Sequence, residues 1–503
     1  MKKRLNEIFK SINYDYKIII KNGANANPLV EGISINSKTV KSGDLFVCLE
    51  GENVDAHIYA QEAVNKGAVA LLIQKDVDTV SVPCVKVDNT QKVLALISSS
   101  FYDYPSSNLR LMGVTGTNGK TTVTHLIQKI FEKDDKRCGL IGTLGHRLAG
   151  SDKYLDNKHT TPQAPDLQHY LKEMLDNGVN NVVMEVSSHA LDLYRVLECD
   201  FAVALLTNIT QDHLDFHVTM ENYAASKMKL FSSLASSRVM NKHAIINLDD
   251  PLSEKFLEVV PDGVKILTYG INSDADIKAV DITYSSDCTL FNCITPVETF
   301  EVSLKLRGQF SVYNSLSAIS VALAEKVQIK TIQEALYDIE NIPGRFEAVS
   351  KKPLVIVDYA HTPDGLSNVL QAARKLVPDG AKLITVFGCG GDRDPTKRPK
   401  MGQITEELSD KLVVTSDNPR TEDPQQIITD ILTGIRSLNS GHVKVEIDRA
   451  RAIEMALKEA QPDDVIVVAG KGHEDYQILA DRTIHFDDRE VVMNILNKLK
   501  PVI

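Results

Sequence analysis

Between Leu109 and Ile127 the chain reads LRLMGVTGTNGKTTVTHLI, an apolar run followed by a glycine turn and the start of a helix. These are the residue types of a phosphate cradle. Gly116 and Gly119 admit backbone angles that other residues resist. The amides of Thr117, Asn118 and their neighbours can therefore turn inward on a phosphate at the positive end of the following helix. Lys120 adds a point charge. The hydroxyl of Thr121, followed by Thr122, is placed to ligate the magnesium that accompanies a nucleoside triphosphate such as ATP. The strict pattern G-x-x-x-x-G-K-[ST] is not met, because Val114 stands where its first glycine belongs and Gly113 lies one residue early. Strand, glycines, lysine, paired threonines and helix still arrive in register, which favours a nucleotide-phosphate loop over an ordinary glycine turn.

Further loops with chemical potential follow apolar runs. One holds Thr160, Thr161 and Pro162. Another, MEVSSHAL, carries Glu185, Ser187, Ser188 and His189, and a third, TNITQDHLDFH, carries Asn208, Asp212 and His213. A carboxylate and an imidazole emerging beside a phosphate loop would complete the coordination of magnesium. The segment YAASKMKLF reads as an amphipathic helix, on which Lys227, taken alone, is expected to face solvent. Later loops, VDYAHTPDG, FGCGGDRDPTKRPKMG, TSDNPRTEDP and AGKGHEDYQ, are rich in glycine and charge. Arg393 and Arg420 within them can grip carboxylates through paired hydrogen bonds. Several such loops at one end of a sheet imply a binding cleft facing the nucleotide site.

A chain of 503 residues suggests about three domains to position these groups. The expected fold class is α/β throughout. Residues 1–107 are expected to form a small mixed α/β domain, with strands at 18–20, 45–49 and 69–73 and one helix at 58–66. Ser37 and Lys38 fall there in what reads as a surface turn. Tyr104 to Ser106 resembles a linker. Residues 108–345 alternate strands near 139–141, 182–186 and 202–208 with a helix at 167–177, which implies a central P-loop ATPase-like parallel-sheet domain. Antiparallel strands over 276–307 and a loop entering a small-residue helix around Asn314 complete it. Residues 346–503 form a Rossmann-like α/β series with strands at 354–358, 383–387, 411–415 and 465–469.

A hydrophobic share of 43% with 24% charged residues describes a soluble globular protein, and no apolar run is long enough to span a bilayer. The basic, then apolar N-terminus is interrupted by polar residues and lacks a small-residue cleavage site, so a cytoplasmic location is expected. Seven scattered cysteines without CxxC or zinc-like spacing read as reduced thiols. The formal net charge of −11 argues against nucleic acid as a partner.

With GVTGTNGKTT, MEVSSHAL, TNITQDHLDFH, YAASKMKLF, GRFE, VDYAHTP and AGKGHEDYQ in this order, the chain resembles the Mur ligases of bacterial cell-wall synthesis over nearly its whole length. Asp417-Asn418-Pro419-Arg420 matches the motif of those members that recognise meso-diaminopimelate. Lysine-adding relatives usually lack this arginine. The resemblance implies ATP-dependent ligation of meso-diaminopimelate to UDP-N-acetylmuramoyl-L-alanyl-D-glutamate through an acyl phosphate, by a monomer. It implies that Ser37 contacts the uridine nucleotide and that Thr160, Thr161, Ser187 and Arg195 hold the muramoyl peptide. Gly116 to Thr122, Asn314, Arg345 and Asp358 would bind ATP. Glu185 and His213 would serve magnesium with Thr121, and Lys227 would be carbamylated by carbon dioxide and so hold a second ion. Arg393, Arg420, Gly470 and Glu474 would recognise diaminopimelate. Leu193 departs from the family, since some relatives carry a polar substrate contact there. Competing expectations are the same ligase acting on L-lysine, a folylpolyglutamate synthase, which shares the TGTNGK loop, and a nucleotide switch that forms no amide.

Overall fold

The computed structural model describes residues 1–499 other than 21–23, 52–53, 79, 152, 156, 158, 285–287 and 439–440. Glu52 and Asn53 of the polar glycine loop, and part of the segment read as antiparallel strands, thus lie outside the described residues.

Three principal sheets follow one another along the chain. The first has five strands in the order Lys17–Ile19, Cys84–Lys86, Ala70–Ile73, Asp44–Val47 and Gly32–Ser34, parallel except for the first. Asp44–Val47 and Ala70–Ile73 are buried along their whole length, as strands covered on both faces must be. Leu45 and Val47 meet Phe9, Val93 and Ile97 on one side, while Phe46 and Leu71 pack with Ala60 and Ala63 on the other. The helix Thr90–Phe101, which sequence reading did not anticipate, begins where Asn89 accepts a hydrogen bond from the Lys92 amide. Its run of Val, Leu, Ile and Ser obscures any polar face, because it is sandwiched between the first sheet and the helix Ala164–Asp176.

The second sheet has ten strands in the order Gly145–Arg147, Cys138–Gly142, Asn181–Glu185, Arg110–Thr115, Phe201–Leu206, His243–Asn247, Lys265–Gly270, Ile277–Tyr284, Thr289–Ile294 and Thr299–Leu304. The strands from Cys138–Gly142 to Ile277–Tyr284 pair in parallel. Ile277–Tyr284 touches its parallel neighbour only at Tyr269 and Gly270, then pairs at length with the antiparallel hairpin expected from the sequence. The phosphate-loop strand Arg110–Thr115 lies between Asn181–Glu185 and Phe201–Leu206 and parallel to both, so their three following loops leave from one edge. The helix Lys120–Lys133 packs on the helix Gln309–Ala324, joining Val123, Ile127 and Ile130 to Val312, Leu316 and Ile319.

The third sheet runs Glu347–Lys351, Leu354–Asp358, Val465–Ala469, Leu383–Phe387, Lys411–Val414 and Val443–Val445, parallel after its first hairpin. Val465–Ala469 is central, flanked by two strands reached in opposite directions along the sheet. Such a switch point opens a crevice beyond the strand ends, where the loops after Asp358, Phe387, Val414 and Ala469 gather. No described helix is long and apolar enough to cross a membrane.

Candidate active site

The phosphate loop is shaped by backbone. Gly116 takes φ +140° and Gly119 φ +87°, and a Cβ on Gly116 would lie 1.9 Å from Thr207 Oγ1, so no side chain fits there. The Thr117 amide donates to the Asn208 carbonyl at 2.7 Å and the Asn118 amide to Asn208 Oδ1 at 2.9 Å. Thr117 Oγ1 lies 3.0 Å from the Tyr223 hydroxyl. Lys120 Nζ donates to the carbonyls of Gly116 at 2.9 Å and Thr117 at 2.8 Å. Burial holds this ammonium below the usual lysine range against the pull of Glu185 and Asp212.

Lys227 does not face solvent. Its side chain is buried on the helix Met220–Ser232, its Nζ donates to the same Gly116 carbonyl at 2.8 Å, and it sits 4.6 Å from the centre of the Tyr223 ring. Burial, reinforced by Lys120, holds it well below the ordinary range although Asp212 opposes this. Two lysines on one carbonyl are electrostatically tolerable when one amine is neutral or when anions arrive between them.

Glu185 ends its strand with only 1% of its surface exposed and accepts hydrogen bonds from the Thr143 amide at 2.9 Å and the Thr143 hydroxyl at 3.0 Å. Thr143 Oγ1 also lies 3.1 Å from Thr160 Oγ1. His213 stands at φ +54°, with its ring edge-on to His189 and Nε2 3.3 Å from Asp212 Oδ2. Burial pushes its imidazole down to about 3, so it is neutral at physiological pH. Among the described residues no group of three or more His, Cys, Asp or Glu side chains forms a metal cage.

The connection between the second and third sheets enters the site itself. Ile342 and Arg345 form a tight bridge, and Gly344 at φ +65° crosses the loop after Ala469 so closely that a Cβ would lie 2.1 Å from the His473 amide nitrogen. Arg345 Nη2 donates to Thr121 Oγ1 at 2.8 Å, and its guanidinium lies 4.6 Å from the centre of the Tyr359 ring. Asp358 accepts from the Phe346 amide at 2.6 Å and the Ala360 amide at 2.7 Å, and burial raises its carboxyl to about 6. Asn314 is buried beside Gly119, whose added Cβ would meet its Oδ1 at 2.5 Å.

On the third sheet, Asn418 Nδ2 donates to Glu474 Oε2 at 2.8 Å, and Arg420, at φ +54°, donates from Nη1 to the Gly391 carbonyl at 2.7 Å. Gly470 takes φ +118°, and a Cβ there would lie 2.5 Å from Asp417 Oδ2. Arg393 donates to the carbonyl of its neighbour Asp392 at 2.8 Å.

One cleft of about 650 Å³ is lined by Thr117–Thr122, Thr160, Glu185, Ser187, His213 and Asn314 from one side, by Arg345 at the connection, and by Asp358, Arg393, Asp417, Asn418, Arg420, Gly470 and Glu474 from the other. Thr161 and Arg195 sit behind its wall. Thr161 Oγ1 donates to the Glu185 carbonyl at 2.9 Å, and Arg195 Nη1 donates to the Thr161 carbonyl at 3.0 Å. Pro419 turns the chain between two lining residues without lining the cleft. Ser37 lies in the expected turn, after the strand Gly32–Ser34, and does not line the cleft; its side chain is buried, with Oγ donating to Glu62 Oε2 at 3.4 Å. Leu193 offers its carbonyl to Gln91 Nε2 at 3.0 Å, linking the first two sheets' layers. Sequence reading missed Thr143, Asp364, whose Oδ2 accepts from Asn118 Nδ2 at 2.9 Å, and Lys397, all on the cleft wall. Only the "TPD" helix start carries a local signal for Asp364, as a first-turn acid.

A nucleotide-phosphate loop sharing one cleft with loops of paired charges is the arrangement of an ATP-dependent acid–amino-acid ligase. The chain belongs to the Mur ligase family, matching its catalytic domain at 29–102, its middle domain at 114–322 and its glutamate ligase domain at 344–472. It is 45% identical over 503 residues to the UDP-N-acetylmuramoyl-L-alanyl-D-glutamate–2,6-diaminopimelate ligase of Clostridium botulinum, covering 98% of this chain and 100% of that protein. The enzyme of the same name from Bacillus licheniformis is 44% identical over 478 residues, 94% of this chain and 96% of that one. Among solved structures, one of a ligase of that name superposes with a TM-score of 0.67 at 32% identity over 99% of both chains. A Mycobacterium tuberculosis folylpolyglutamate synthase shares the fold at a TM-score of 0.63 and 17% identity, over 76% of this chain and 92% of that one.

Proposed function

We propose that the protein joins meso-2,6-diaminopimelate to UDP-N-acetylmuramoyl-L-alanyl-D-glutamate at the expense of ATP, as a cytoplasmic monomer that makes a peptidoglycan precursor. The observation that carries this reading is the single cleft in which the phosphate loop faces the Asp417–Arg420 and Gly470–Glu474 loops. Its relatives of known name support the choice of amino acid.

ATP phosphates lie at the start of the helix Lys120–Lys133, on the amides of 119–122 and against Lys120, with Asn314, Arg345 and Asp358 around the nucleotide, since the Thr117 and Asn118 amides are held by Asn208. Ser37 reaches the uridine nucleotide, and Thr160, Thr161, Ser187 and Arg195 order the peptide that ends in D-glutamate. The donor set fits magnesium, which needs only one or two protein oxygens when phosphates and water supply the rest, and Thr121 and Glu185 offer such oxygens on the cleft wall. When bound, magnesium neutralises the charge that develops on a transferring phosphoryl group. Lys227 fits carbamylation, because burial favours the neutral, nucleophilic form of its amine and the product anion would answer the positive charge of Lys120.

The D-glutamate carboxylate attacks the γ-phosphorus of ATP, and ADP leaves with the electrons of the broken P–O bond. Lys120 and the loop amides stabilise the charge spread over that phosphoryl group. Arg393 and Arg420 then hold carboxylate of diaminopimelate while Glu474 receives ammonium, so that the other amine meets the acyl phosphate. Its attack forms the amide and expels phosphate, and the proton lost by the attacking amine leaves with the released phosphate. Water excluded between the two sheets cannot hydrolyse the acyl phosphate first.

The test is phosphate release from ATP in the presence of the nucleotide dipeptide with meso-diaminopimelate, with L-lysine or with neither. Release that requires diaminopimelate, with the matching mass increase of the nucleotide product, is expected. Preference for lysine would keep the ligase and discard the role of Arg420, and release indifferent to amino acid would leave a nucleotide switch.

A further inference from the structure

Lys471 has no exposed surface, yet it belongs to a loop at the rim of the cleft. Its Nζ donates to Glu474 Oε2 at 2.9 Å and to Asn418 Oδ1 at 3.2 Å, with the Tyr476 ring centre 5.4 Å away. Asn418 closes the triangle by donating to the same Glu474 oxygen at 2.8 Å. Both partners line the cleft, and Lys471 stands behind them. The carboxylate that faces a ligand's ammonium is thus already matched by a buried protein cation.

We infer that Lys471 is a positioning and specificity-determining residue, a counter-charge that makes this pocket prefer an amino acid ending in a zwitterion over one ending in a lone ammonium. The inference rests on the proposed ligase reading. L-lysine carries a net positive charge and diaminopimelate none. Arg393, Asp394, Lys397, Asp417, Arg420 and Glu474 line this part of the cleft, three cations against three carboxylates, and Asp392 adds a carboxylate beside Arg393 and Arg420. Arg449 beneath them is paired with Asp488 at 2.7 Å. Lys471 answers the charge of Glu474, so the ammonium of a ligand meets an ion pair there rather than a free carboxylate. That pairing weakens the hold on an ammonium, while Arg393 and Arg420 still reward a second carboxylate, so a cationic ligand that lacks one loses more than a zwitterionic one.

The experiment is steady-state kinetics with both amino acids for the full-length enzyme and for Lys471→Met, Glu474→Gln and the double variant, with ADP binding as a check on folding. Lys471→Met is expected to raise the ratio of lysine to diaminopimelate kcat/KM by roughly tenfold, about what one charge carries across a solvent-open cleft, mostly through KM and with the KM of ATP unchanged. Glu474→Gln leaves Lys471 unanswered and is expected to move the ratio the opposite way, which keeps the test alive if Lys471→Met fails to fold. The double variant is expected to return towards the wild-type ratio. Equal losses for both amino acids in each single variant would overturn the inference and reduce Lys471 to a structural strut. Wild-type enzyme that uses neither amino acid would instead overturn the ligase reading beneath it.

Discussion

The two walls of the cleft are built by different means. The phosphate side is centred on backbone: Gly116 and Gly119 stand at positive φ, the Thr117 and Asn118 amides are tied to Asn208, and one short stretch of chain sets the shape. The amino-acid side is a construction of side chains drawn from loops at 390–393, 417–420 and 470–474, each held by others in the group. Phosphate looks the same in every nucleotide, so a local motif suffices to bind it. One amino acid differs from another at its far end, and recognising that end takes charges brought from distant parts of the sequence.

This contrast is open to direct attack. Lys120→Met removes the one charge that the backbone cradle cannot replace, and phosphate release is expected to fall about 10³-fold, as for loss of a preorganised transition-state donor. The KM of diaminopimelate should stay within a few-fold of wild type. Arg420→Ala strikes the other wall. A paired, charge-assisted contact supports a loss of roughly 10- to 100-fold in kcat/KM for diaminopimelate, with ATP binding intact by calorimetry. An unchanged KM for diaminopimelate in this variant would remove Arg420 from the pocket. The third prediction concerns Asp358, at the seam between the walls. Its carboxyl is raised by burial from 3.8 to about 6, so the folded chain binds this proton more tightly than the unfolded one. Stability that is present below about pH 4 is expected to decline as pH rises to about 6, by at most about 3 kcal/mol. Asp358→Asn should flatten that slope in denaturant titrations across the same range.

How much could be read beforehand follows the same division. The phosphate loop, the strands Leu354–Asp358, Leu383–Phe387 and Val465–Ala469 and the helix carrying Lys227 were legible, because glycine turns, apolar runs and helical spacing are local signals. The burial of Lys227 was not, since nothing near it in sequence reveals that Gly116 and Tyr223 close over its amine. The helix Thr90–Phe101 escaped for a related reason: covered by two layers, it lacks the polar stripe by which an amphipathic helix is recognised. The roles of Asp417 to Arg420 came from resemblance to a family, because the contacts that define them span more than fifty residues, as between Asn418 and Glu474. Lys471 passed unnoticed within AGKGHEDYQ for the same reason.

The crossing at Gly344 has a further consequence for how the protein works as a moving object. The few residues from Ile342 to Phe346 hold Thr121 through Arg345 on one side and press on His473 on the other. A change in the separation of the two sheets must be taken up there, so it shifts the surroundings of the nucleotide and of the incoming amine in a single motion. One five-residue segment thus couples the two halves of the cleft, and a substitution that lengthened it would be felt at Thr121 and at His473 together.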